Sequence, residues 1–246
     1  RRSRWHIQRG IDCFQHYFGM RPKGIWLSEG AISEDAISML EEFDFKWTAS
    51  GEGVWRNSMN LATHDLEKVH SKRALFHPYV LNEHEAKLYF RDDGLSDMVG
   101  FEYSKMNSVD AANDLVHNLE NIADFLGNSA GRHVVPVILD GENAWEYYPH
   151  NGYYFLNHLY QRLSDHKLVK PTTFSKLDKK IKTHKLEKLC AGSWVYGSFS
   201  TWIGEIDKNR AWDRLVEAKI AYDDTMAAGV LDDTEVEIAT RQLAVC

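Results

Sequence analysis

Three acids have the type and spacing to share proton chemistry. Asp140 and Glu142 follow the apolar run Val134, Val135, Val137, Ile138, Leu139, which stops at Asp140-Gly141. Glu29 follows a second short apolar run, Gly24 to Leu27, and precedes a helical pattern. If both runs are parallel strands, both carboxyl groups stand on the rim where α/β proteins place their chemistry. Two carboxylates on one rim are the minimum for cleaving a glycosidic bond. One protonates the departing oxygen, and the other attacks the anomeric carbon or activates water there. Burial and a neighbouring carboxylate can keep the acid protonated near neutral pH. Glu142 can be that neighbour or can bind a hydroxyl. The alternative is structural, since Asp-Gly is a common turn pair and Asp before a helix a common cap.

Aromatics crowd the same stretch: Trp145, Tyr147, Tyr148, Tyr153, Tyr154 and Phe155. Some must pack inside. Others can form platforms, because an aromatic face stacks on the apolar C–H face of a sugar ring.

The elements that would position these groups follow an alternating α and β rhythm. A helix opens the chain, with Trp5, Ile7, Ile11, Phe14 and Phe18 on its apolar stripe and Gly19 at its end. A strand at Gly24–Leu27 leads to a helix capped by Ser33, and "FKWTAS" is the next strand. Residues 51–74 read as irregular or helical, and "RALFHPYVL" and "AKLYFRDDGLSD" as strands or loops. A helix from Ser108, as N-cap, to Gly127 precedes a strand over 132–139, and a helix follows near 152–164. The last 40 residues read as two helices. This gives a βα part over residues 1–165 and a mostly helical region over 166–246.

Bulk properties exclude several classes. The chain has 246 residues, 43% of them hydrophobic, and a net charge of −7 without a long basic run, which argues against nucleic-acid binding. No apolar stretch approaches the roughly 20 residues of a membrane span. Cys13, Cys190 and Cys246 form no disulfide or zinc pattern. With no signal peptide in view, a reducing, cytoplasmic compartment is expected. No Asp/His cluster has ligand spacing, so neither a metal nor an organic cofactor is expected, and His77 and His133 read as packing or surface residues. Core packing is the favoured role for Trp26, Trp47 and Trp55, and a buried Arg91–Asp92 ion pair holding a loop is a strong reading of "FRDDGLSD".

Taken together, "GIWLSEGAIS", "FRDDGLSD", "ILDGENAWEYYPHNG" and "GSWVYGSFSTWIG…NRAWD", in that order, resemble glycoside hydrolase family 57. The resemblance runs from about residue 8 to 220. It implies an incomplete (β/α)7 barrel followed by a helical bundle, and retaining α-glucan chemistry of the amylase, 4-α-glucanotransferase, branching-enzyme or amylopullulanase kind. Carried over by motif, Glu29 is the expected nucleophile and Asp140 the general acid/base. Trp26, Glu142, Trp145, Trp194 and Trp202 are expected to contact an α-glucan or maltooligosaccharide substrate. Two motifs of the family, an N-terminal His-Gln-Pro and one before the nucleophile, are not in this chain. The resemblance therefore implies the C-terminal part of the barrel. A non-catalytic glucan-binding or regulatory relative is the alternative, and oligomeric state is left open.

Overall fold

The computed structural model describes residues 2–62, 71–177 and 181–245. Residues 63–70, part of the stretch expected to be irregular or helical, and Cys246 lie outside it. The chain divides into two units. One runs from Lys23 to Ser198, and the other joins the segment up to Pro22 with the segment from Phe199.

The first unit is built on β1 (Gly24–Ile25), β2 (Trp47–Ser50), β3 (Tyr79–Leu81), β4 (Lys87–Phe90) and β5 (His184–Leu186). They form one sheet in the order β1-β2-β4-β3-β5. β1 and β4 both run parallel to β2, with Gly24 opposite Trp47 and Ser50 opposite Phe90. A Cβ at residue 24 would lie 2.0 Å from the Trp47 ring, so the β1–β2 approach requires glycine there. β3 is antiparallel to β4 and parallel to β5. Thr48, Ala49, Ser50, Leu88, Tyr89 and Phe90 are all buried, as parallel strands covered on both faces should be.

The helices form where the apolar periodicity places them. Ser33 caps Glu34–Glu42 by accepting from the Ala36 amide, and that helix buries Ile37 and Leu40. Ser108–Leu126 buries Ala111, Ala112, Leu115 and Val116 and closes on Gly127 at φ +56°. Tyr153–Ser164 lays Phe155, Leu159 and Leu163 into the same apolar cluster. Each such side chain contributes roughly 1.5–3 kcal/mol when fully buried. In the second unit, Arg2–Phe18, Ile206–Ala228 and Asp233–Ala244 are helices, the last opened by a capping box between Asp232 and Glu235.

The fold is therefore the expected one: a mixed, mostly parallel α/β sheet with a helical region at the C-terminus. Three details differ. Residues 134–139 form no ladder strand. Pro136 has no N–H to give. The segment is instead tied by Val134 N to Phe76 O (3.0 Å), by Asp92 N to Pro136 O (2.9 Å) and by Ile138 N to the Ser96 hydroxyl (3.1 Å). β5 lies in a Lys-, Gly- and Ser-rich stretch where no strand is legible. The cap of the long helix is Asn107, which accepts from Val109 N, one residue before Ser108.

Candidate active site

β1 feeds a single 3-10 turn, Ser28–Gly30, and Glu29 sits inside it at φ +60°, ψ +19°. That left-handed conformation is uncommon for Glu and costs about 1–2 kcal/mol. Several contacts hold it. Gly30 N donates to Leu27 O (2.8 Å), and the buried Ser50 hydroxyl donates to Gly30 O (2.6 Å). Gly30 is also left-handed, and a Cβ there would lie 2.5 Å from the Trp26 ring. Trp26 thus supports the turn from below, packed with Ala49, Tyr89 and Val134. Trp55 is buried in the core, and Trp47 packs on Phe174 at 4.8 Å.

Glu29 is also held from far along the chain. Trp194 N donates to Glu29 O (3.1 Å), and the Trp194 indole N–H donates to Glu29 Oε2 (2.8 Å). The loop carrying Trp194 is seated by glycines. A Cβ at Gly51 would come within 2.7 Å of Trp194 Cα, and one at Gly197 within 2.6 Å of the Gly53 carbonyl carbon. Asn57 Nδ2 donates to Gly197 O (3.0 Å), and Gly192 and Ile32 exchange both backbone hydrogen bonds. Close backbone approach of this kind is what glycine permits.

Arg91, just past β4, lies 4.5 Å from the Trp194 ring centroid and is buried. Its Nε donates to Asp93 Oδ1 and its Nη2 to Asp97 Oδ1, each at 2.7 Å. The expected Arg91–Asp92 pair is therefore replaced. Asp92 caps the helical turn Asp93–Asp97 through Leu95 N and pairs with Lys72 at 3.2 Å. Lys72 also reaches Glu52 Oε2 at 3.1 Å. Burial works against the Lys72 charge, but Asp92 and Glu52 outweigh it and raise its pKa. Adjacent side chains alternate in direction, so the residue next in sequence is a poor partner for a charge at a strand end.

Asp140 ends the 134–139 segment, half-buried. Burial, then the charges of Glu142 and Glu29, push its pKa up, against the pull of Arg91. Glu142 is exposed. Trp145 turns toward the helices, with its ring 5.4 Å from Tyr148 and 6.3 Å from Phe155. Trp202 belongs to the helical unit, where its carbonyl accepts from the Trp212 indole at 2.9 Å. The structure thus links Glu29, Trp194, Asp140 and Glu142 by hydrogen bond or charge, with Trp26 under the turn. The parts that sequence reasoning missed are Ser50, Gly51 and the partners of Arg91. The glycine pair Gly51 and Gly53 just after β2 was the available signal.

A separate cleft of about 690 Å³ is lined by Lys72, Asp92, Asp114, Asn118 and Phe125, and neither Glu29 nor Asp140 lines it. Among the described residues no group of His, Cys, Asp and Glu is placed to hold a metal. His77 packs tilted against His133 and His184, with centroids 4.4 and 4.2 Å away. No described helix is long and apolar enough to cross a membrane.

Two carboxyl groups in unlike surroundings, Glu29 after β1 and Asp140 after the 134–139 segment, mark the candidate site, and comparison defines the family. The model of glycosyl hydrolase family 57 matches residues 2–190, and the chain belongs to that family. A search of curated proteins finds no match. Among solved structures, the chain is similar to a GH57 branching enzyme from Thermococcus kodakaraensis crystallised with glucose (TM-score 0.76, 15% identity, 99% of this chain and 56% of that one). It is also similar to the α-amylase AmyC from Thermotoga maritima (TM-score 0.65, 14% identity, 94% and 53%). A third is the 4-α-glucanotransferase from Thermococcus litoralis (TM-score 0.55, 15% identity, 85% and 30%). At these identities the likeness is one of fold. The chain spans 56% or less of the length of each of these three proteins.

Proposed function

We propose that this chain carries the catalytic carboxyl pair of a retaining glycoside hydrolase or transglycosidase acting on α-glucans. The observation that carries the reading is the asymmetry of the pair. Glu29 is fixed by shape and accepts the Trp194 indole N–H, as an aimed nucleophile needs. Asp140 is pushed toward its protonated form by burial, by Glu142 and by Glu29 itself, as a general acid needs. Family membership and the named activities of the similar structures support α-glucan as the substrate class.

In the first step Glu29 Oε attacks the anomeric carbon while the Asp140 proton goes to the departing glycosidic oxygen. The C–O bond breaks and a glycosyl ester on Glu29 forms. Asp140, now ionised, removes a proton from the acceptor hydroxyl, which attacks the same carbon and releases Glu29. Water as acceptor gives hydrolysis, and a sugar hydroxyl gives transfer.

The test is product analysis from maltoheptaose, with the protein and its Asp140→Asn variant. Shorter sugars, or a ladder both shorter and longer than the substrate, together with loss of either pattern in the variant, support the reading. Retained glucan binding without turnover by the unmutated protein overturns it in favour of a binding relative.

A further inference from the structure

We infer that Arg91 is a positioning residue for the carboxyl pair, acting through the Trp194 ring. This rests on the carboxyl-pair reading above. Glu29 is exposed and strained, so it needs an outside brace. The brace is Trp194, bonded to its main chain and its side chain. A brace works only if it is itself fixed. Gly51 fixes the backbone side of Trp194, and the Arg91 guanidinium lies against its ring.

The guanidinium is held in turn by two carboxylates, each at 2.7 Å, which take two of its in-plane N–H groups and leave its face for the indole. The Arg91 amide is anchored as well, to Ser50 O at 3.0 Å, and Ser50 is the residue that closes the Glu29 turn. A cation over an indole in a desolvated setting is strongly oriented. Arg91 thereby aligns Glu29 through Trp194, and its charge also acts on Asp140. One face of Trp194 and its N–H are occupied by this role.

The experiment uses the full chain with 15N-labelled indoles, the Trp194 signal being the one absent from Trp194→Phe. Arg91→Met should shift the Trp194 indole N–H resonance and lower kcat on maltoheptaose roughly tenfold, with KM within about twofold. It should also move the basic limb of the pH profile upward, because the cation that opposes Asp140 protonation is gone. Arg91→Lys keeps the charge against Asp93 and Asp97 but loses the planar fork, so it should fold readily and give an intermediate shift and kcat. An unmoved Trp194 resonance in both variants overturns the inference. A wild-type protein with no turnover overturns the α-glucan reading instead, and the resonance then decides the role of Arg91 alone.

Discussion

The arms that present Glu29 and Asp140 are built differently. Glu29 lies in a left-handed turn locked by Ser50, by Gly30 against Trp26 and by two bonds from Trp194. Asp140 ends a segment tied by three scattered hydrogen bonds, and Gly141, Glu142 and Asn143 after it are exposed. The first arm is fixed by geometry and the second is set by charge. On the proposed reading one carboxyl is aimed and the other holds and releases a proton, and those two needs call for different construction.

Changes to the geometric arm should have the largest effects. Gly51→Ala puts a methyl group against the Trp194 backbone, which cannot give way as a flexible side chain would. It should cost about 1–3 kcal/mol of stability and lower kcat/KM about a hundredfold, read by denaturant melts and maltoheptaose kinetics. Unchanged kinetics would remove the geometric half of the contrast.

The Asp140 arm should loosen in acid. It starts beside His133, whose ring packs on His77, and burial followed by the charges of His184 and His133 lowers the His77 pKa to about 4. Lys182 beside His77 and His184, and Arg73 and Arg132 beside His133, add positive charge, and burial also lowers the pKa of both these histidines. An unfolded His77 takes up a proton near pH 6.5, and the folded one only near 4. Stability is therefore full above 6.5 and is lost as pH falls between those values. The loss expected from His77 is about 2 kcal/mol after solvent screening. His77→Phe should flatten the pH dependence of the urea midpoint across that window, and an unaltered slope would contradict this account.

Much of this contrast is visible in the sequence, but unevenly. The acids, the Ser33 cap and the apolar stripes of the helices depend on neighbours within a few residues, so local chemistry reveals them. The Trp194–Glu29 bond joins residues 165 positions apart, and no periodicity encodes it. The 134–139 run has strand composition, yet Pro136 denies it a ladder. In the "RDDG" stretch the charges are plain, but their pairing depends on a strand end and a helical turn, which send Arg91 to Asp93 and Asp97 and leave Asp92 to Lys72.

Two smaller effects separate shape from charge. Ser50→Ala removes the buried hydroxyl bond to Gly30 O, at a cost of about 1–2 kcal/mol, and should lower kcat without moving the pH profile. Glu142→Gln removes a neighbouring anion from an exposed site. It should leave stability within about 0.5 kcal/mol and shift the basic limb of kcat/KM to lower pH, because Asp140 then gives up its proton more readily. A Ser50→Ala variant with a displaced pH profile, or a Glu142→Gln variant without one, would merge the two arms into one.

The distance along the chain between Glu29 and Trp194 also orders events in time. Ribosomes make proteins from the N-terminus, so the Glu29 turn emerges long before the loop that clamps it. Closing so long a loop carries an entropic cost, which the docked glycines, the backbone bonds to Ile32 and Glu29 and the indole bond help to offset. A nascent chain would therefore hold the Glu29 carboxyl slack until residues 191–198 arrive, and its final aim would be among the last properties this unit acquires.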